Sequence, residues 1–175
     1  DVTLSQSIGV STILNRLGQR NWDAAKVAAS FGPAEVANFE AARAAGTLHD
    51  YEDALYGNKG LLVNTNVSVV GGNDRTKYFI GGTRKSDEGI VEHTGYKKNS
   101  FRLNLDQKVG NWLDLSLNRN YINSHADRGF FNNDNTGTTM GVSFVATPAW
   151  AQLFPDANGN YPNNPYAASN FLQTR

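Results

Sequence analysis

Cysteine is absent from the 175 residues, which removes both a disulfide framework and a thiolate metal site. Long apolar runs are missing too. None approaches the ~18 to 20 residues that a membrane helix needs, so a helical membrane protein is excluded. A barrel is not, because its strands are only half apolar. Charge of one sign is not in excess either: 16 basic residues face 16 acidic ones. No polybasic patch results, the counterion-release term that drives nucleic-acid binding has little to act on, and no nucleic-acid partner is expected. The first residues, Asp1 to Ser5, carry no basic segment or apolar leader core, so we expect that a leader has been removed or that the chain begins in mid-protein. At 39% hydrophobic and 18% charged residues, one ordinary globular domain stays compatible with the composition.

What is present is alternation, in segments joined by turns that are alternately very short and very long. Leu61 to Val70 meets Thr76 to Lys85 across Gly71 to Arg75, and Phe101 to Val109 meets Trp112 to Asn123 across Gly110-Asn111. A polar excursion from Ser86 to Asn99 separates the hairpins, Asn15 to Gly60 precedes them and Ser124 to Arg175 follows. Short turns therefore share one end of the sheet and long loops the other, the asymmetry of transmembrane β-barrels. Within the strands, Phe101, Leu103 and Leu105 oppose Arg102, Asn104 and Asp106, and Leu113, Leu115 and Leu117 oppose Asp114, Ser116 and Asn118, as the two-residue side-chain period requires. Val63, Thr65, Val67 and Val69 oppose Asn64, Asn66 and Ser68, and Val2, Leu4, Ile8 and Val10 oppose Thr3, Ser5, Ser7 and Ser11. Each run has about 9 to 11 residues, the length of a tilted strand crossing a bilayer.

A soluble β-sandwich alternates in the same way, with one face buried and one wetted. A carbohydrate-binding module of that kind is the main rival reading. Asn- and Ser-rich polar faces suit a watery lumen, and Tyr78, Tyr96, Phe101, Trp112 and Tyr121 fall near strand ends, where an interfacial girdle places rings. Arg119 opposes the membrane reading, since it shares the Leu113-Leu115-Leu117 face and an arginine toward lipid costs roughly 2 to 4 kcal/mol at the midplane. It must sit high, or a bulge must re-aim it. The first long segment is helical instead: Ala34 to Ala45, with Pro33 at the first helical position and Gly46 as the stop, reads as a helix, and Trp22 to Ser30 and His49 to Tyr56 could each add a short one. Thr136 to Gln152 carries a further helical pattern that Pro148 should end. The expected fold is all-β: an antiparallel up-and-down meander over residues 1–175 forming part of a large transmembrane β-barrel, with a helical extracellular insertion over 15–60 packed on the barrel mouth and a long extracellular loop over 124–175.

Several elements together resemble a known family. N-x-x-V-S-V-x-G-G-N-D-R-T-K-Y-F from Asn64, D-E-G-I-V from Asp87, G-Y-K-K-N-S-F-R-L-N-L-D-Q-K-V from Gly95 and N-W-L-D-L-S-L from Asn111 look like the SusC/RagA family of TonB-linked outer-membrane transporters. The likeness extends more loosely to the first strand, to His49 to Tyr56, which is similar to a D-W-Q-D-x-I-F element with tyrosine for tryptophan, and to the loop from Phe154 to Tyr161. The resemblance implies a ligand-gated importer of the bacterial outer membrane, a barrel of about 22 strands closed by an N-terminal plug. It also implies a SusD-like surface lipoprotein that helps to capture glycan fragments or peptides, and TonB pulling on the plug. Neither plug nor TonB-contacting segment is recognisable here, so we expect a fragment. Five or so strands cannot close, and an open sheet in hydrocarbon leaves unpaired backbone groups costing several kcal/mol each.

Catalytic chemistry finds no residues to name, and we expect neither an enzyme nor a cofactor. His49, His93 and His125 lie in separate segments. Asp87 and Glu88 are adjacent, so on an extended chain they point apart. Asp156-x-Asn158-x-Asn160 begins like a calcium loop, yet Tyr161 stands where glycine is required and Ala167 where the bidentate glutamate would be. Gly71-Gly72 and Gly81-Gly82 lack the spacing of a phosphate loop. The candidate contact residues are in the tail: Phe130, Phe131, Asn132, Asn133, Asp134, Trp150 and Tyr161, where rings for apolar sugar faces interleave with amides and carboxylates for hydroxyls. These side chains contact cargo, contact the lipoprotein lid, or fold the loop onto itself.

Overall fold

The computed structural model describes residues 1–18, 21–131 and 139–175. The chain divides into two compact units, Asp1–Thr12 with Lys59–Arg128, and Ile13–Asn58 with Gly129–Arg175.

The first unit is one antiparallel sheet of β1 (Val2–Ser11), β2 (Gly60–Gly72), β3 (Thr76–Glu88), β4 (Gly95–Val109) and β5 (Leu113–Asp127), in that order. The two expected hairpins are there, closed by turns that use their glycines: Gly72 (φ 147°) and Gly110 (φ 63°) adopt backbone that side chains disfavour. Asn73 completes the first turn, its Oδ1 accepting the N–H groups of Arg75 and Thr76, each at 2.9 Å. The polar excursion is a different matter. Instead of a long loop over Ser86 to Asn99, β3 runs on to Glu88 and β4 begins at Gly95, pairing Arg84 with Asn99 and Ser86 with Lys97. Ladder hydrogen bonds come from the backbone and do not require apolar side chains, so a stretch polar on both faces still pairs. Only residues 89–94 remain as a loop, held by Thr94, whose Oγ1 donates to the Val91 carbonyl at 2.7 Å.

Cross-strand partners share a face, so the register defines both surfaces. One face gathers Val2, Leu4, Ile8 and Val10 of β1 with Val69, Val67, Val63 and Leu61 of β2. It continues through Ile80 and Tyr78 of β3, Leu103, Leu105 and Phe101 of β4, and Leu113, Leu115, Leu117 and Tyr121 of β5. These side chains are uncovered: Leu4 is 69% exposed, Ile8 67%, Leu117 52% and Tyr121 56%. The described residues contain one sheet, and the buried inter-sheet layer that a sandwich demands is absent from them.

The apolar surface also runs obliquely to the ladder. Its upper limit on β1 and β2, Val10 and Leu61, is level with Glu88, Gly95 and Asp127. On β4 and β5 the upper limit is Phe101 and Tyr121, level with Gly82, Val67 and Leu4. From Val10 down to Leu4 is a displacement of about six residues over four strand steps, which at ~3.3 Å per residue and ~4.8 Å per strand gives a band inclined by about 45°. Above that limit β3 to β5 are mainly polar on both faces, with Ile122 and Ala126 of β5 as apolar exceptions on the second face. Arg119 pairs with Leu103 in an unbroken register, so no bulge re-aims it; it lies one outward position below Tyr121, at the upper margin of the band.

The second unit is built from α1 (Ala24–Phe31), α2 (Glu35–Ala45), α3 (Tyr51–Tyr56), α4 (Met140–Ala146) and α5 (Phe171–Thr174). Asp23 caps α1 by accepting the Lys26 N–H at 2.8 Å, and Asp50 caps α3 through the Asp53 N–H at 3.0 Å. Gly46 ends α2 in the left-handed conformation (φ 67°), as its place in the sequence predicts. Pro33 is not the first helical residue; it lies in the turn before Ala34, which is the N-cap. Of the expected helix over Thr136 to Gln152, residues 136–138 lie outside the described residues; Met140–Ala146 is helical, as α4, and ends before Pro148. Val27, Phe39, Ala42 and Trp150 form a buried core against which Trp22, Phe31 and Val36 pack. Tyr51, Leu55, Met140, Leu153, Phe171 and Leu172 are buried as well.

Candidate functional site

The second face of the sheet is polar and hollowed. A depression of about 430 Å³ is lined by Thr3 and Ser5 of β1, Asn66 and Ser68 of β2, Thr83 of β3, Lys98 and Arg102 of β4 and Asn120 of β5. Thr83 Oγ1 donates to Asn66 Oδ1 at 2.8 Å, and the Arg102 guanidinium lies 5.9 Å from the centre of the Phe79 ring while its Nε reaches Asn104 Oδ1 at 3.4 Å. Phe79 folds back over Gly81, where a Cβ would stand 2.9 Å from the ring. Lys98 and Arg102 are the charged groups lining the hollow, and no carboxylate among the described residues lines it. Hydroxyls, amides and two cations in water make a surface suited to polar, hydroxylated or anionic solutes.

In the second unit the tail residues separate. Phe130 is 67% exposed, Phe131 and Tyr161 are half-buried, and Asn132, Asn133 and Asp134 lie outside the described residues. Trp150 is only 4% exposed. Its ring meets Trp22, Phe31 and Phe39 edge to face at 5.4, 5.2 and 5.4 Å, and its Nε1 donates to Glu35 Oε2 at 3.0 Å. Tyr166 donates to the same oxygen at 2.5 Å. These hydrogen bonds, Tyr166 first, hold the Glu35 carboxyl below the usual carboxylate range. Burial and the Glu35 contact push the Tyr166 phenol up to about 12. Trp150 is thus buried here among three other rings rather than presented at the surface.

A cleft of about 390 Å³ in the same unit is lined by Leu17, Trp22, Phe31, His49, Tyr51, Glu52 and Phe144, among others. Glu52 is 6% exposed and already engaged, accepting the Leu17 and Gly18 N–H groups at 2.6 and 2.9 Å with Arg16 Nε at 3.7 Å. Tyr51 donates to the Ala151 carbonyl and accepts from the Leu153 N–H at 3.1 Å; burial pushes its phenol up to about 12. The loop from Asp156 uses its carboxylate internally: Oδ1 accepts from the Asn158 and Asn160 N–H groups at 2.8 and 2.9 Å, with Gly159 at φ 82° closing the turn. No group of acidic and histidine side chains able to hold a metal occurs among the described residues.

No family model and no curated protein sequence matches the chain. Among solved structures, one of the RagAB peptide importer in its "closed-closed" state is similar, with a TM-score of 0.63 and 21% sequence identity over 93% of this chain and 22% of that one. The chain thus spans less than a quarter of the length of the importer chain it matches. At this identity the likeness is one of fold. The antiparallel meander with its helices has a counterpart in an importer, over almost its whole extent.

Proposed function

We propose that this chain is a wall segment of a TonB-linked importer of the SusC/RagA type in the bacterial outer membrane. Its leucine and valine face meets acyl chains; its hollowed polar face meets the aqueous bore. The observation that carries the reading is the exposed apolar band inclined by about 45° to the ladder, the tilt that barrel closure requires of each strand. In a sandwich those side chains would be covered. A SusD-like lipoprotein is the proposed partner in capture, and TonB the energy source through a plug.

Of the two cargo classes we favour peptides over glycan fragments. The fold neighbour is named as a peptide importer, the tryptophan best suited to stacking on sugar is buried, and Lys98 and Arg102 offer cations to carboxylates. Cysteine is absent from these 175 residues, so in a whole protein freed of any thiol elsewhere an introduced one reports its own face. In outer membranes of cells making the whole protein, Leu105→Cys and Leu117→Cys should resist a water-soluble maleimide, and Asn104→Cys and Asn118→Cys should react. Equal reaction at all four positions would refute the lipid-facing assignment.

A further inference from the structure

The band's upper margin is followed, on the same outward face, by unpaired positive charge. Immediately above Gly82 on β3 comes Arg84; above Phe101 on β4 come Asn99 and Lys97; above Tyr121 on β5 come Asn123 and His125. Arg84 is level with Asn99 and Asn123, and Lys97 with Ser86 and His125. Arg84 and Lys97 are therefore diagonal neighbours, close enough for one small ligand to touch both. All of Arg84, Lys97, Asn99, Asn123 and His125 are exposed.

Two carboxylates share this outward face, Glu88 and Asp127, each diagonal to Lys97 as Arg84 is, and both are hydrogen-bonded. Asp127 takes the His125 ring at 2.9 Å, Glu88 accepts the Leu61 N–H at 3.1 Å, and Asp87 on the opposite face pairs with Lys85 at 2.7 Å. Neither Arg84 nor Lys97 has an ion-pair partner among the described residues. Arg84 and Lys97 are like charges at diagonal positions, and an anion that bridges them offsets their repulsion. Phe101 and Tyr121 are the rings that mark the hydrocarbon boundary. The two cations and two amides above them stand in the headgroup layer of the long-loop side. Arg119, one outward position below Tyr121, can extend its guanidinium into the same layer.

We propose that Arg84 and Lys97, with Asn99 and Asn123, form a binding site for the phosphate of an outer-leaflet lipid headgroup. The proposal rests on the lipid-facing assignment of the leucine band. Guanidinium and ammonium groups supply charge-assisted hydrogen bonds to phosphate oxygens, and the amides reach the adjoining sugar or glycerol hydroxyls.

The test uses the whole protein in detergent micelles, with bisphosphorylated lipid A and its dephosphorylated form as probes and native mass spectrometry as the readout. Wild type should retain the phosphorylated lipid on the order of tenfold better than the dephosphorylated one, and the double variant Arg84→Ser/Lys97→Ser should lose most of that preference. Equal retention of both lipids by wild type, or an undiminished preference in the variant, would overturn the site. So would displacement of the lipid by millimolar inorganic phosphate, which would indicate a site for free anion. Variant folding is checked by the heat-dependent shift in gel migration typical of barrels. The maleimide pattern at Leu105 and Leu117 is read in the same preparation, so that a water-accessible band, which sinks the barrel reading, is told apart from a lipid-facing band that lacks the headgroup site.

Discussion

Trp150 and Glu35 show how one side chain's role depends on what encloses it. From sequence, Trp150 was a ring beside amides and a contact candidate; in the fold it is the centre of an aromatic cluster and a hydrogen-bond donor to Glu35. Replacing it with alanine should cost about 3 to 5 kcal/mol of the helical unit's stability. Hydrogen exchange over α1 and α2 would register this as faster opening, with the strand ladder unaffected. Glu35 adds a pH dependence. Its folded carboxyl is held below the ordinary value by Tyr166 and Trp150, so its contribution is complete above the ordinary carboxylate range and is lost as acidification passes through the lowered value. The Glu35→Gln variant should flatten that part of the acid-unfolding curve, monitored by tryptophan fluorescence; a curve identical to wild type would remove Glu35 from the account.

At the scale of strands, position within the band decides tolerance. Leu117 stands at the middle of the outward run Leu113 to Tyr121, and Leu117→Arg should lower folded yield in lipid by about 2 to 4 kcal/mol, whereas Asn118→Arg on the opposite face should cost much less. Folding titrations in vesicles compare them directly. The meander itself was legible because alternation and Gly-Asn turns are local signals, and Phe101 to Asp106 reads correctly from six residues. Strand ends were not legible. Ser86 to Glu88 and Gly95 to Asn99 carry no apolar side to mark them as strand, and their pairing follows only from each other's backbone. The helix α2 was readable from Gly46 and its alanine-rich interior. The contact joining Glu35 to Tyr166 was not, since no periodicity links residues 131 positions apart.

For the whole molecule, the uncovered apolar face predicts the behaviour of residues 1–175 expressed alone. With Val2 at 74% and Leu4 at 69% exposure and both sheet edges open, the isolated chain should aggregate in water and be recovered only with detergent. A monomer melting cooperatively without detergent would contradict the barrel assignment. The helical unit imposes a further condition. Its core is stitched from two stretches separated by β2 to β5: Tyr51 meets Ala151 and Leu153, and Arg175 meets the Ala54 carbonyl at 2.6 Å. Closing such loops is slow, so Ile13–Asn58 must wait, unfinished, while some seventy later residues are synthesised and zipped. Any cut after Arg128 would orphan α1 to α3, which makes the surface helices the last part of this region to mature and the first to report a stalled assembly.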